Sequence, residues 1–259
     1  MSTRKAILVI NATRPEAVQA ATNLANLLAK DSFELFTSSA VKISGVETVS
    51  VDLLPEAEIV IVLGGDGTIL RGAEISRLRK IPLLGVNLGH VGFMAEVEKL
   101  SLETVAASVI SKSYSTDPRM VLAYSVERNG KQVSSGWSLN EVTIERTEST
   151  MVELLVQVDR RPLSRWGCDG LICSTPTGST AYAFSAGGPV VWPAVDALVV
   201  LPISAHALFS RPLVISPTSV IAVGIESSEA FLSADALRKF PLVAGDRVVV
   251  TKDSRVIQL

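Results

Sequence analysis

The chain has 259 residues, room for one large domain or two of ordinary size. Hydrophobic residues make up 47% and charged residues 19%, a balance that supports a packed core and excludes disorder of the whole chain. Lys plus Arg number 24 against 26 Asp plus Glu, a net charge of −2 without a long basic block, and aromatic residues are only 5%. No nucleic-acid partner is therefore expected, and the core must be mainly aliphatic.

Residues 6–10 form an unbroken apolar run and read as a buried first strand. Thr13 with Glu16 three positions on, beside Pro15, makes the capping-box pattern; Val18, Ala21, Leu24, Ala25 and Leu28 then share one helical face, which predicts a helix. Residues 59–63 predict a second strong strand, 69–78 a helix, 82–86 a third strand and 101–110 another helix. Short apolar runs alternating with helical periodicity are the pattern of a parallel sheet covered by helices. After Asp117-Pro118 the period changes to two. Residues 124–128 lead into Asn129-Gly130, the dipeptide of a type I′ hairpin turn, and Gln132-Val133 begins the return strand. Further strands are predicted at 139–145, 152–158, 198–203, 220–226 and 247–251. The expected fold is an N-terminal doubly wound α/β domain over residues 1–115, followed by a β-rich, β-sandwich-like domain over 116–259 whose last segment is free to return to the first.

The sharpest motif is Gly64-Gly65-Asp66-Gly67-Thr68, directly after a buried strand and directly before a helix. Such a loop lies at the carboxyl edge of the sheet, where a helix N-terminus offers unpaired N–H groups to an anion. Gly64, Gly65 and Gly67 let the backbone approach a phosphate without a Cβ in the way, Thr68 opens the helix, and Asp66 places one carboxylate where a hydroxyl meets that phosphate. The plainer reading is a tight turn with Asp66 capping the helix. Neither a Walker A loop nor a G-x-G-x-x-G fingerprint is present, since Ala73-Glu74 follows Gly72 and the spacing of Gly85, Gly89 and Gly92 is wrong. The stretch Gly85 to Phe93 reads equally as a second backbone wall of the same crevice or as a loop turned by Asn87.

A second cluster runs from Cys168-Asp169-Gly170 through Thr175-Pro176-Thr177-Gly178-Ser179-Thr180-Ala181-Tyr182 to Ser185. Its small hydroxyls and glycines suit either a sugar- and amide-binding surface or a Ser/Thr-rich turn at a short helix. Strict alternation puts Asn140, Val142 and Ile144 on one face of a strand and Glu141 and Thr143 on the other, so Asn140 must satisfy neighbouring backbone or face a ligand. Cys168 and Cys173 read as small buried hydrophobes, and with His90 and His206 they lack metal-site spacing. His206 reads either as a phosphate contact or as a structural histidine. The apolar run at 6–10 is too short for a signal peptide and no run approaches a membrane span, so a cytoplasmic protein is expected.

Taken in order, Gly64-Gly65-Asp66-Gly67-Thr68, Gly85-Val86-Asn87-Leu88-Gly89, Asn140-Glu141, Asp169-Gly170 with the run 175–182, and His206 to Pro212 resemble the bacterial NAD kinase family. Cys168 before Asp169, and Trp192-Pro193, are most similar to actinobacterial members. The first segment alone is shared with diacylglycerol and sphingosine kinases and 6-phosphofructokinases; the run 175–182 narrows it. The resemblance implies an active site in a crevice between two domains and phosphorylation of the adenosine ribose 2′-hydroxyl of NAD to give NADP. The phosphoryl donor implied is ATP, with polyphosphate left open. It also implies a divalent metal such as Mg²⁺ held through the nucleotide phosphates, with no protein metal ligand assigned, and a homodimer or homotetramer. By the same resemblance Asp66 is the proton acceptor and Gly67 and Arg71 line its pocket. Asn140, Glu141, Asp169, Thr180, Ala181, Tyr182 and Ser185 match positions that hold NAD. Gly167 stands where many relatives carry Arg or His, and Asp235-Ala236 replaces a commoner Asp-Gly. A lipid kinase would show a membrane-facing surface that this sequence does not display, and a non-catalytic dinucleotide binder would tolerate loss of Asp66.

Overall fold

Strands that are apolar on both faces must be covered on both faces, and that requirement organises the first part of the chain. A computed structural model describes residues 3–87, 97–98, 101–207, 210–227 and 229–259. The chain divides into two units, Met1–Pro118 with Ile257–Leu259, and Arg119–Val256. The first holds β1 (Arg4–Ile10), α1 (Pro15–Ala29), β2 (Phe33–Thr37), β3 (Val46–Thr48), β4 (Ile59–Leu63), α2 (Asp66–Arg79), β5 (Leu83–Asn87), β6 (Val97–Glu98) and α3 (Leu102–Ser111). Strands β1 to β6 pair in parallel in the order β3-β2-β1-β4-β5-β6. Ala6, Leu8 and Ile10 of β1 and Ile59, Ile61 and Leu63 of β4 form one core with the apolar faces of α1 and α3. On the opposite face α2 packs through Gly72, where an added Cβ would come within 2.4 Å of Val62 Cγ2 and 2.9 Å of Leu83 Cδ1. Helices on both faces make the sheet doubly wound, as the sequence pattern predicts.

The helix starts differ from expectation. Arg14, without a side-chain cap, precedes α1, and Pro15 opens the helix with its φ already set. Thr13 does not form the capping box, because its N–H and hydroxyl both donate to Asn11 Oδ1, at 3.2 and 2.8 Å. The second helix begins at Asp66 rather than Ile69, with Gly65 as its cap residue. By contrast Ser101 caps α3 with its side chain, which accepts from the Thr104 N–H. The last residues of the chain return to this unit, where Asp117 and Leu259 exchange both main-chain hydrogen bonds, at 2.7 and 3.0 Å.

After β7 (Pro118–Arg119), the second unit contains β8 (Leu122–Arg128), β9 (Lys131–Ser138), β10 (Glu141–Arg146), β11 (Val152–Val158), β12 (Arg161–Cys168), β13 (Gly170–Ser174) and the short α4 (Tyr182–Ser185). Then come β14 (Leu198–Ile203), β15 (Leu213–Ile215), β16 (Ile221–Ile225), β17 (Ala230–Ala234), β18 (Arg238–Leu242) and β19 (Arg247–Lys252), with β20 (Ile257–Gln258) ending the chain. Two antiparallel six-stranded sheets result, in the orders β15-β14-β13-β10-β17-β18 and β12-β11-β16-β19-β8-β9. One core fills the space between them, with Val142, Ile144, Leu171 and Leu232 from the first sheet and Leu122, Leu154, Trp166 and Val248 from the second. This is a β-sandwich. Asn129 and Gly130 sit at φ +52° and +74° between the paired residues Arg128 and Lys131, as a type I′ turn requires. Among the described residues no helix is long and apolar enough to cross a membrane.

Candidate active site

The order of the first sheet reverses between β1 and β4, and a crevice at the carboxyl ends of such a pair is where open α/β sheets bind ligands. The loop Gly64 to Thr68 leaves β4 at this point, tied to the end of β1 by the Asn11 N–H donating to Leu63 O at 3.0 Å. Its glycines do different work. A Cβ on Gly64 would meet Thr68 Oγ1 at 2.6 Å and Asn11 Cβ at 3.1 Å, so Gly64 is required by packing. The N–H groups of Gly64 and Thr68 donate to Val86 O and Gly65 O. Apart from chain neighbours and the helix's own backbone, no atom of the described residues lies within 4 Å of a Cβ added at Gly65 or Gly67, so the bare backbone of the loop is the stretch 65–67. Asp66 occupies the first turn of α2, not its cap position. Arg71, five residues on, is exposed and lines a cavity of about 460 Å³ with Ile10, Ala12, Ser39, Glu74 and Ile75.

In the second unit, Asn140 and Glu141 stand at the start of β10, 4% and 7% exposed. The strand begins at Glu141, so the expected alternation does not extend to Asn140; Glu141, Val142, Thr143 and Ile144 are all buried. Main-chain groups of Asn140 are fully engaged, its N–H donating to Asp235 Oδ1 at 2.8 Å and its carbonyl accepting from the Thr175 N–H at 2.9 Å. Its Oδ1 and the neighbouring Glu141 Oε2 are buried without a hydrogen-bond partner among the described residues. Buried polar atoms without a partner are rare in folded proteins, which singles out these two neighbouring residues. Burial, with the charges of Asp235 and Glu145 nearby, pushes the Glu141 carboxyl up to about 8 against the pull of the Tyr182 N–H. At neutral pH it is mostly protonated, able to donate as well as accept.

Asp169 joins β12 to β13 and accepts from Arg146 Nε at 2.7 Å. Tyr182 pairs with the Glu145 carboxylate, and burial with the charges of Glu145, Asp169 and Glu141 raises its phenol. Glu145, Arg146, Asp169 and Tyr182 line a second cavity of about 460 Å³. The structure therefore brings Glu141, Asp169 and Tyr182 together, with Ala181 immediately before Tyr182. Thr180 donates its hydroxyl to Thr177 O at 3.2 Å, and Ser185 is exposed at the end of α4.

Both halves of the chain match known domains: residues 6–114 the ATP-NAD kinase N-terminal domain, and residues 139–259 the ATP-NAD kinase C-terminal domain. An actinobacterial NAD kinase from Thermobifida fusca is 42% identical, covering 99% of this chain and 84% of its own. The chain belongs to the NAD kinase family. A Corynebacterium glutamicum NAD kinase is 47% identical over 81% of this chain and 73% of that protein. Among solved structures, yeast NADH kinase complexed with NADH aligns over 98% of this chain and 82% of its own, with a TM-score of 0.88 at 24% identity. An Archaeoglobus fulgidus NAD kinase in complex with ATP aligns over 99% and 92%, with a TM-score of 0.77 at 24% identity. Both share the fold.

In this NAD kinase family member, most hydroxyls of the run 174–179 are not a ligand surface. Thr175 Oγ1 donates to Leu139 O at 2.6 Å and accepts from the Gly178 N–H; Ser179 Oγ donates to Pro176 O and accepts from the Val191 N–H; Ser174 Oγ donates to Asn140 O. They lock the turn that carries Thr180, Ala181 and Tyr182. Sequence reasoning missed Glu145 and Arg146, which look like an ordinary charged strand end until Tyr182 and Asp169 fold against them. Cys168 and Cys173 are buried and unlinked, and burial pushes their thiols up to about 11 and about 12, so both are inert at neutral pH. Leu88 to Phe93, with His90, and Leu208 and Phe209 lie outside the described residues. His206 donates its main-chain N–H to Gly167 O at 2.9 Å.

Gly67 offers a clean separation of packing from chemistry. Gly67→Ala should raise stability by about 0.5–1 kcal/mol, since Ala is the better helix residue and its methyl meets no side chain among the described residues. NAD phosphorylation should nevertheless fall about tenfold or more, because the methyl enters the space beside the bare loop where a phosphate would approach. Thermal unfolding and initial rates decide it, and an unchanged rate would show that no substrate group uses that space.

Proposed function

We propose that the chain transfers the γ-phosphoryl group of ATP to the adenosine ribose 2′-hydroxyl of NAD, with Asp66 as proton acceptor. Family membership gives the overall reaction, phosphorylation of NAD to NADP by an ATP-dependent kinase. The observation that carries the residue assignment is the 65–67 stretch at the switch point, two glycines open to space on either side of a carboxylate in the first turn of a helix. Gly65 and Gly67 present the phosphate-binding backbone, while Gly64 and Thr68 shape the loop and Arg71 adds positive charge along the same helix. Asn140, Glu141, Asp169, Thr180, Ala181, Tyr182 and Ser185 hold the dinucleotide, with the orphaned Asn140 Oδ1 and Glu141 Oε2 meeting its hydroxyl or amine donors.

Phosphoryl transfer passes through a loose transition state in most analyses, so alignment and charge neutralisation matter more than a strong base. The position of Asp66 suits that demand. The helix dipole favours its ionised form and makes it a weak base, yet a weak base can orient the hydroxyl and take its proton late in the transfer. The N–H groups at the start of α2 stabilise negative charge on the phosphate during the same step.

Among the described residues no three His, Cys, Asp or Glu side chains cluster as a metal cage. A divalent ion such as Mg²⁺ fits through the nucleotide phosphates with Asp66 beside them, since this ion is commonly held by one or two carboxylates plus phosphates. When bound, it neutralises charge on the phosphate oxygens. A homo-oligomer is the assembly we favour, because Phe184, Val190, Trp192 and Val195 expose large apolar side chains close together in sequence. The free thiols of Cys168 and Cys173 suit a reducing compartment such as the cytoplasm.

The test uses purified protein with Mg²⁺, ATP and NAD, and in parallel NAD lacking the adenosine 2′-hydroxyl, with products read by mass spectrometry. NADP is expected from NAD, and the 2′-deoxy analogue should bind without giving product. A phosphorylated analogue would mean another hydroxyl is the acceptor. Polyphosphate in place of ATP reports whether the donor must carry a nucleoside.

A further inference from the structure

Asn140 and Glu141 can meet a ligand only if their main chain is held, and their carbonyls are held by the N–H groups of Thr175 and Asp235, whereas Asn140 lies just before β10, which starts at Glu141. Three successive N–H groups at 139–141 converge on one side chain. Asp235, 3% exposed in the turn between β17 and β18, accepts from Leu139 N–H through Oδ2 at 2.8 Å, and from Asn140 and Glu141 N–H through Oδ1 at 2.8 and 3.3 Å. Its own N–H donates to Glu141 O at 3.1 Å. A carboxylate gathering consecutive backbone amides is the geometry of an anion nest.

Asp235 is in turn held from outside. Arg238 Nη2 lies 3.4 Å from Asp235 Oδ2 and donates to Trp137 O at 2.7 Å, while its guanidinium lies 4.6 Å from the centre of the Trp137 ring. The turn is also strained. Asp235 and Ala236 sit at φ +53° and +55°, a left-handed conformation that costs an Ala roughly 1–2 kcal/mol. Strain of this kind persists where the surroundings over-determine it, as at ligand sites.

We propose that Asp235 is a positioning residue for the dinucleotide site, fixing the Leu139–Asn140–Glu141 main chain so that the Asn140 and Glu141 side chains point at the substrate. This rests on the reading of Asn140 and Glu141 as NAD contacts. Asp235 acts through them and touches no reacting atom. The same closeness contributes to the raised Glu141 carboxyl, because the Asp235 charge disfavours a second charge beside it.

The experiment compares Asp235→Asn, Arg238→Met and Asn140→Ala with the parent enzyme, measuring kcat and the KM values for NAD and ATP separately. Asp235→Asn keeps volume but turns an NH₂ group toward N–H donors. It should raise KM for NAD by about 10- to 100-fold, the scale of a lost hydrogen bond to a charged group, and leave KM for ATP within about twofold. Arg238→Met loosens the clamp from outside and should raise KM for NAD by a few fold; it decides the matter if Asp235→Asn does not fold. A lower melting temperature with both KM values unchanged would make Asp235 purely structural and overturn the inference. If Asn140→Ala raises KM for NAD and the Asp235 and Arg238 variants do not, this inference alone falls. If Asn140→Ala leaves KM for NAD unchanged, the dinucleotide-site reading falls and carries this one with it.

Discussion

Asp66→Asn is expected to lower NADP formation by about 10²-fold or more while leaving NAD affinity within about threefold, the usual scale for removing a positioned acid–base group. The substitution preserves shape and a hydrogen-bonding oxygen but removes the charge and the proton acceptor. Asp66 lies in the first turn of α2 and the cap residue is Gly65, so the substitution leaves the cap position itself unchanged. Thermal unfolding of the variant beside its rate separates the two roles, and a drop in rate with unchanged stability would report chemistry. Full activity in the variant would reduce Asp66 to one acidic residue in a helix's first turn. Calorimetric titration with NAD alongside the rate measurement separates a binding loss from a turnover loss.

The α/β unit was readable because its strands are unbroken apolar runs and its helices carry regular apolar stripes. Ile59–Leu63, the helix after it and the Asn129-Gly130 turn are local signals, complete within a few residues. Phe33–Thr37 and Val46–Thr48 escaped notice because they are short and made strands by their parallel neighbours β1 and β2 rather than by their own pattern. The Thr13 capping box failed for a related reason, since Asn11, fixed by the end of β1, competes for the Thr13 donors. At the candidate site, Gly64 to Thr68 stood out by spacing, but its division into a packed Gly64 and bare Gly65 and Gly67 appears only once the turn folds Thr68 back over Gly64 and brings up Asn11, 53 residues away in sequence. Asp235 stood out in the sequence only through the Asp235-Ala236 replacement of a commoner Asp-Gly, with no sign of what its carboxylate holds. Its partners lie 94 to 96 residues away, and only folding shows that a buried carboxylate replaces a strand for the amides of 139–141.

Gly178→Ala should damage both folding and NAD binding, although the change adds one methyl group. An ideal Cβ at this position would lie 2.1 Å from Asn140 O, 2.4 Å from its carbonyl carbon and 2.6 Å from its Cα. Backbone cannot swing aside as a side chain does, and Asn140 is held on both sides, by Asp235 at its N–H and by the Thr175 N–H at its carbonyl. The 177–180 turn must therefore move away, breaking the Thr175 bonds to Leu139 and Asn140 and shifting Ala181 and Tyr182 with it. Overpacking of this severity costs about 3 kcal/mol. A displacement of about 1 Å in a binding constellation costs on the order of 10²-fold, so NAD phosphorylation should fall at least that far. Thermal unfolding, NAD titration and initial rates on one preparation test the chain of cause. Wild-type stability and affinity would mean that the turn is not locked against Asn140. Lost affinity with only a modest loss of stability would instead place the whole effect in the aim of the dinucleotide contacts.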